Sequence, residues 1–254
     1  MKLVTGTYSD IGISRKNNQD GICILQAESG GQNICMAIVC DGMGGLSKGE
    51  LASAVIINEF QGWFEEDFPS MLNRASLMNI IDIWKMKILD LSNQLKRYGR
   101  TNNLLLGTTF SGVLIIDDKF IWTHVGDSRI YHIGSNQIKQ LTTDHTVIAR
   151  EIRNGNMTQE EAKTSKLRGK LTQCIGASQV IEPESGTGMF KTGETLVLCS
   201  DGFYHKFSEN EMAIVQNKKF KNDKEIDKYC YQQTKEAMKR NEKDNISVIV
   251  IRAD

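Results

Sequence analysis

Proline is nearly absent: Pro69 and Pro183 are the only two in 254 residues. There is no proline- or serine-rich spacer, no low-complexity tract and no internal repeat, so one domain over residues 1–254 is expected. A charge excess is missing too, since 31 basic residues balance 31 acidic ones. Nucleic-acid binders usually carry a basic excess, so no nucleic-acid partner is expected. No stretch approaches the roughly 20 apolar residues of a membrane helix. The opening MKLVTGTYSDIG also lacks the apolar run of a secretory signal. The six cysteines form no CxxC pair and no zinc-type spacing. Cys35, Cys40 and Cys199 lie in apolar runs, where cysteine behaves as a small buried hydrophobe. Reduced core thiols in a cytoplasmic protein are the expectation.

What is present is an ordinary globular balance, 40% hydrophobic and 24% charged. The length suffices for a core without disulfides. Short runs rich in β-branched residues predict strands over Gly21–Leu25, Ile34–Cys40, Thr108–Ile116, Phe120–Val125, Arg129–Ile133, Thr195–Cys199 and Ile246–Arg252. They follow one another directly, which favours antiparallel neighbours, and Asp117-Asp118 reads as a hairpin turn. Helical periodicity marks Ser47–Glu66, Leu72–Tyr98 and Asp223–Asn241. The sum is an α+β layered domain. Between strand-like flanks, Thr142–Gly176 reads as an irregular excursion with a helix start at Thr158-Gln-Glu-Glu. Excursions of that length usually serve binding or gating.

Aspartates stand at the ends of several strands: Asp41 after Val39-Cys40, Asp201 after Cys199-Ser200, Asp127 after Val125-Gly126, and Asp244 and Asp20 just before strands. A single Asp-Gly is ordinarily a turn, because Asp bonds nearby backbone and Gly supplies positive φ. Several carboxylates gathered at one end of a β layer, however, repel one another unless they are protonated or bridged by cations. Oxygen ligands without His or Cys suit Mg²⁺ or Mn²⁺ rather than zinc.

The order of motifs sharpens this. Ser9-Asp10-x-Gly12-x-x-Arg15-x-x-Asn18-Gln19-Asp20 is followed by Asp41-Gly42-Met43-Gly44-Gly45 and Gly107-Thr108-Thr109. Then come Val125-Gly126-Asp127-Ser128-Arg129, Thr142-x-Asp144-His145, Ser200-Asp201-Gly202 and Asp244-Asn245-x-Ser247. The series resembles the metal-dependent protein serine/threonine phosphatases of type 2C, particularly the compact bacterial members.

The resemblance implies a four-layer α-β-β-α sandwich, two antiparallel sheets flanked by helices, with two Mn²⁺ or Mg²⁺ ions at one edge. Position by position, Asp41 would bridge the metals, Asp201 and Asp244 would complete one, and the Gly42 carbonyl would reach the other. Asp20 would act through metal-bound waters, and Asp127 with Asp201 matches a third-metal position. Arg15 would clamp the substrate phosphate, making Arg15, Asp41 and Asp201 the catalytic set. The implied reaction is hydrolysis of phosphoserine and phosphothreonine monoesters by a metal-bridging water, with no phosphoenzyme. Residues Thr142–Gly176 would be the flap. Lys166, Arg168 and Lys170 there form either a solvated run or a basic rim for phosphorylated segments. Two features depart from the family pattern: Gln19 stands where Glu is common, and Met43 stands where eukaryotic members carry a His. No Cys has an Arg six residues on, so a cysteine-based phosphatase is excluded. His124 and His132 are expected as satisfied structural residues, His145 as a structural hydrogen-bonding group and His205 as a candidate cleft residue. The implied partners are phosphorylated proteins, namely serine/threonine kinases and their substrates, met by a cytoplasmic monomer. Two alternatives use the same fold: a non-catalytic binding module, and a phosphatase for small phosphorylated metabolites.

Overall fold

The computed structural model describes residues 1–43, 48–134 and 137–254, without the side chain at 163. Gly44 and Gly45 of the glycine motif, and Ser47 at the expected start of the first helix, therefore lie outside the described residues. The chain begins with β1 (Leu3–Asp10), β2 (Gly21–Ser29), β3 (Gln32–Cys40) and the short β4 (Gly42–Met43). Next come α1 (Gly49–Gly62), a π-type turn over Trp63–Asp67, α2 (Phe68–Met71) and the long α3 (Leu77–Asn102). Strands β5 (Gly107–Thr108), β6 (Phe110–Ile116), β7 (Lys119–Val125), β8 (Arg129–Ile133) and β9 (Ile138–Gln140) follow. The excursion carries α4 (Val147–Arg153) and α5 (Gln159–Thr164). The chain then runs through β10 (Glu184–Met189), β11 (Thr195–Cys199), α6 (Asp201–Tyr204), α7 (Glu209–Ala213), α8 (Asp223–Lys239) and β12 (Ile246–Ala253).

Two antiparallel five-stranded sheets result, ordered β1-β12-β11-β8-β9 and β10-β7-β6-β3-β2. Side-chain alternation along the central strands creates three apolar layers. In β3, Cys35, Ala37 and Val39 face the other sheet, meeting Ile249 and Ile251 of β12. Its alternate residues Met36 and Ile38 face α1 and α3, against Phe60, Trp84 and Ile88. In β12, Val248 and Val250 face α8, against Ile226 and Cys230. Both sheets are thus buried on both faces, and the order is helix, sheet, sheet, helix.

Helix boundaries follow local chemistry. The second long helix begins at Leu77 rather than Leu72 because Ser76 caps it, accepting from the Asn79 N–H while the Asn79 side chain accepts from the Ser76 N–H. It ends where Asn103 adopts a left-handed conformation, φ 57°. Thr158 starts α5 by the same reciprocal capping with Glu161, and Asp117, φ 54°, makes the β6–β7 hairpin turn.

Three strands carry little apolar periodicity: β1, β9 and β10. Strand β10 (ESGTGM) looks like a loop because of its glycines, yet they are its packing solution. A Cβ at Gly186 would lie 2.7 Å from Trp122 Nε1, so a side chain there would collide with the indole. All six cysteines are free and buried, and burial pushes the Cys199 thiol up to about 12. Among the described residues, no helix is long and apolar enough to cross a membrane.

Trp84 is fully buried, edge-on to Phe60 at 5.2 Å and to Phe110 at 6.0 Å. Replacing it with Ala is expected to lower unfolding free energy by about 3–5 kcal/mol, read by denaturant titration. A loss under about 1 kcal/mol would show that this helical layer unfolds separately from the sheets.

Candidate metal centre

Antiparallel pairing brings the chain's aspartates to one end of the sandwich. Asp10 at the end of β1 pairs with Ile246 at the start of β12, and Cys199 at the end of β11 pairs with Val248. In the other sheet, Gly21 at the start of β2 pairs with Cys40 at the end of β3. Asp20, Asp41, Asp201 and Asp244 therefore emerge at neighbouring strand ends. Asp127 joins them from the β7–β8 turn.

Each is positioned by a different local device. Asp41 is fixed through its backbone: its N–H donates to Thr109 Oγ1 at 2.8 Å, and its carbonyl accepts from the Thr109 N–H at 2.9 Å. The following residue must be Gly42, since a Cβ there would overlap the carbonyl oxygens of Gln19 and Gly49. The Asp20 carboxylate accepts from Ser247 Oγ at 2.6 Å and from Ser200 Oγ at 2.8 Å. Asn245 ties the substructure together: its side chain accepts from the Gln19 N–H at 2.9 Å and donates to the Ile11 and Asn17 carbonyls. Arg15, half exposed, grips Asp244 with two parallel bonds of 2.8 and 2.6 Å.

Burial of so many like charges dominates the electrostatics. Burial, opposed by the two serine hydroxyls, raises the Asp20 carboxyl to about 7. Asp41 is held well above the usual carboxylate range, first by burial and then by Asp20, Asp201 and Asp127. Asp127 is raised in the same way, and Asp201 is raised by burial against the opposing effect of His205. Among the described residues, Asp20 Oδ1 and Asp201 Oδ1 are buried without a hydrogen-bond partner. Orphaned carboxylate oxygens, mutual repulsion and an all-oxygen donor set fit hard divalent cations.

Some contacts differ from simple expectation. The expected ligands do not close around one point, and Arg15 holds Asp244 rather than standing free. Among the described residues, the only trio of ligand atoms within 4.8 Å of one another is His124, His145 and Glu184. That trio is already hydrogen-bonded. The His124 ring nitrogens meet the Gly126 carbonyl and Ser111 Oγ at 2.9 Å each. Glu184 accepts from the Thr143 N–H and hydroxyl. His145 Nδ1 accepts from the Gly126 N–H at 3.2 Å, the structural role expected of it. His132 bonds Glu194 at 2.9 Å. His205 stands 3.9 Å from Asp201 and lines a hollow of about 330 Å³ beneath the excursion, shared with Asp127, Arg129, Asp144 and Arg168.

The excursion is closed at its base. The Val147 N–H donates to the Lys170 carbonyl at 2.8 Å, and the Thr172 N–H donates to the His145 carbonyl at 2.7 Å. Sequence reasoning gave no role to Arg129, which bonds Asp144 twice (2.9 and 2.7 Å) and lies 3.7 Å above the Tyr204 ring. Burial opposes its charge, but Asp144 keeps it protonated. Its place beside Asp127 in the quoted motif was the available signal. The Gln19 amide donates to Glu50 at 3.1 Å, a contact that a carboxylate pair would turn into repulsion.

A family model described as protein phosphatase 2C matches residues 13–243. The chain belongs to that family. It is a metal-dependent phosphoprotein phosphatase. It is 32% identical over 213 residues to a putative protein phosphatase 2C-type from Streptococcus pyogenes, covering 83% of each chain. It is 31% identical over 210 residues to the protein phosphatase PhpP of Streptococcus pneumoniae, covering 82% of this chain and 81% of that one. The structure of the S. agalactiae serine/threonine phosphatase superposes over 100% of both chains with a TM-score of 0.87 at 29% identity. Such relatives are bacterial serine/threonine phosphatases of the 2C type.

The carboxylate cluster makes this phosphatase's metal-free stability pH-dependent. An unfolded Asp titrates near 4, whereas folded Asp20 titrates at about 7. Between these values the folded state binds more protons, so stability falls as pH rises through that window. Calorimetry of metal-stripped protein should show the decline, and Asp20→Asn should make it shallower, Asp41, Asp127 and Asp201 supplying the remainder. A decline of unchanged slope in the variant would assign it to other groups.

Proposed function

We propose that this phosphatase hydrolyses phosphoserine and phosphothreonine monoesters in proteins, using two Mn²⁺ or Mg²⁺ ions at the Asp cluster. The observation that carries this reading is the set of four mutually repelling carboxylates withdrawn from water, Asp127 buried and Asp20, Asp41 and Asp201 half-buried, two of them with a buried oxygen that has no partner among the described residues. In this reading Asp41 would serve both ions, Asp201 and Asp244 would help hold one, and the Gly42 carbonyl would help hold the other. Asp20 acts through waters, and Asp127 with Asp201 offers a third position. When bound, the ions supply an activated water for in-line attack and neutralise charge on the phosphoryl oxygens.

The protein's own groups do the rest. Ser200 and Ser247 orient Asp20, and Thr109 fixes the Asp41 backbone. Arg15 presents its fork at the mouth of the site, where a phosphate offers the same two-oxygen face as Asp244. Exchange of Asp244 for substrate phosphate on that fork would leave the Asp244 carboxylate available to hold an ion. Cys40 and Cys199 adjoin the cluster, but burial raises both thiols far from thiolate formation, so no phosphoenzyme forms on them. We place the enzyme in the cytoplasm as a monomer with one catalytic domain. There it acts on proteins phosphorylated by serine/threonine kinases, and residues Thr142–Gly176 form the flap over the 330 Å³ hollow.

The test is hydrolysis of a phosphothreonine peptide by metal-stripped protein, with and without added Mn²⁺, beside Asp201→Asn. Turnover should require the ion and fall at least about a hundredfold in the variant, as loss of a transition-state interaction does. Metal binding without turnover in the parent protein would favour the binding-module alternative.

A further inference from the structure

We propose that the basic hollow between the C-terminal half of α3 and the chain returning from the flap is a docking site for an acidic segment of the phosphoprotein substrate. The proposal rests on the phosphoprotein reading above. The hollow has a volume of about 880 Å³, and Asn93, Lys96, Arg97, Arg100, Asn103 and Gln179 contribute to its lining. Among the described lining residues there is no carboxylate.

Charge distribution along α3 is one-sided. Its last acidic residue is Asp90, and beyond it come Lys96, Arg97 and Arg100 with no anion. Some other surface cations have acidic partners: Lys87 pairs with Glu59 at 3.4 Å, Lys235 with Asp10 at 2.8 Å, and Arg240 with Glu211 at 2.7 Å. Lys96 donates to the Gln179 carbonyl at 3.2 Å and has no carboxylate. Arg97 and Arg100 are exposed and have no side-chain partner among the described residues. A cation in a helix's last turn offsets the negative end of the helix dipole, which accounts for Arg100. That effect fades within one turn, so it does not account for Lys96 and Arg97. Three convergent cations without an anion fit a ligand that brings its own negative charge.

Topology joins this hollow to the metal centre. Gly42 pairs with Thr108, and Thr108 pairs in turn with Ile175. The Gly176 N–H, in the hollow's wall, donates to Ser92 Oγ of α3 at 3.1 Å. Two strand spacings therefore separate Gly42 from Ile175, about 10 Å. An extended peptide covers that distance in about three residues. Gly176 and Ala177, which follow Ile175, line the hollow, so in the proposed mode a substrate whose phosphoresidue sits at the Asp cluster lays acidic side chains, at least about three positions away, toward Arg97 and Arg100. Leu105, 75% exposed at the rim, adds an apolar ledge.

The experiment compares three substrates in Mn²⁺ buffer: p-nitrophenyl phosphate, a phosphothreonine peptide with Glu three to five positions to each side, and its Gln counterpart. The parent enzyme should favour the Glu peptide about five- to tenfold in kcat/KM, chiefly through KM, as expected for two or three exposed ion pairs. The preference should shrink at high salt. Arg97→Gln/Arg100→Gln and the double Glu variant should abolish it while leaving p-nitrophenyl phosphate hydrolysis unchanged. A control reversal on α8, Lys224→Glu/Lys228→Glu, should keep it. Equal rates on both peptides, a preference retained without the arginines, or equal loss in the control would overturn the proposal. Fluorescence anisotropy of the unphosphorylated Glu peptide provides a readout independent of turnover. Binding lost only in the arginine variants supports docking even if hydrolysis fails, and failure on all three substrates would count against the phosphatase reading alone.

Discussion

Asp20, Asp41, Asp127 and Asp201 are gathered, half-buried or buried, at one end of the sandwich, Asp20 and Asp201 each with a buried oxygen that lacks a partner among the described residues, and each is raised above its ordinary titration range. Like charges withdrawn from water and crowded together destabilise a fold unless something compensates. The surrounding structure reads as a response to that constraint. Two serine hydroxyls serve Asp20, two threonines hold the Asp41 backbone, an arginine grips Asp244, and Asn245 ties three loop carbonyl and amide groups into one frame. Divalent cations are the natural partner of such an arrangement, and the family to which the chain belongs is metal-dependent.

The sandwich is what makes the crowding tolerable. Three apolar layers set the strand ends rigidly, so the carboxylates are carried by strand termini rather than by loose loops. Arg15 is the exception, standing on the β1–β2 connection at half exposure. The excursion hangs from the same edge through His145, Gly126 and Thr172. Its returning segment reaches α3 through the Gly176 N–H and Ser92 Oγ, so the carboxylate edge, the excursion and the basic hollow share one framework.

Much of this was legible in the residues. Strong periodicity marked α3 and α8, and β-branched runs marked β3, β6, β7, β11 and β12, because their buried faces repeat at fixed intervals. The weak-pattern strands escaped for a physical reason. In β10, Gly186 and Gly188 are small because Trp122 and Phe120 lie across them, a cause that resides in a different strand. Helix ends were displaced by a few residues where Ser76 and Asn103 set the caps.

The sequence by itself determined the chemistry: which carboxylates exist, their place at strand ends, and a motif order specific enough to indicate the family. Residue identity and spacing encode these directly. Only the tertiary structure decided who touches whom. The Arg15–Asp244 pair joins residues 229 apart, and Ser200 and Ser247 meet Asp20 across 180 and 227 residues. It also decided that Arg129 faces Asp144 and that, among the described residues, Arg97 and Arg100 of α3 pair with no carboxylate. Such contacts depend on how the sheets register and stack, and that is settled by packing summed over the whole core rather than by any local run of residues.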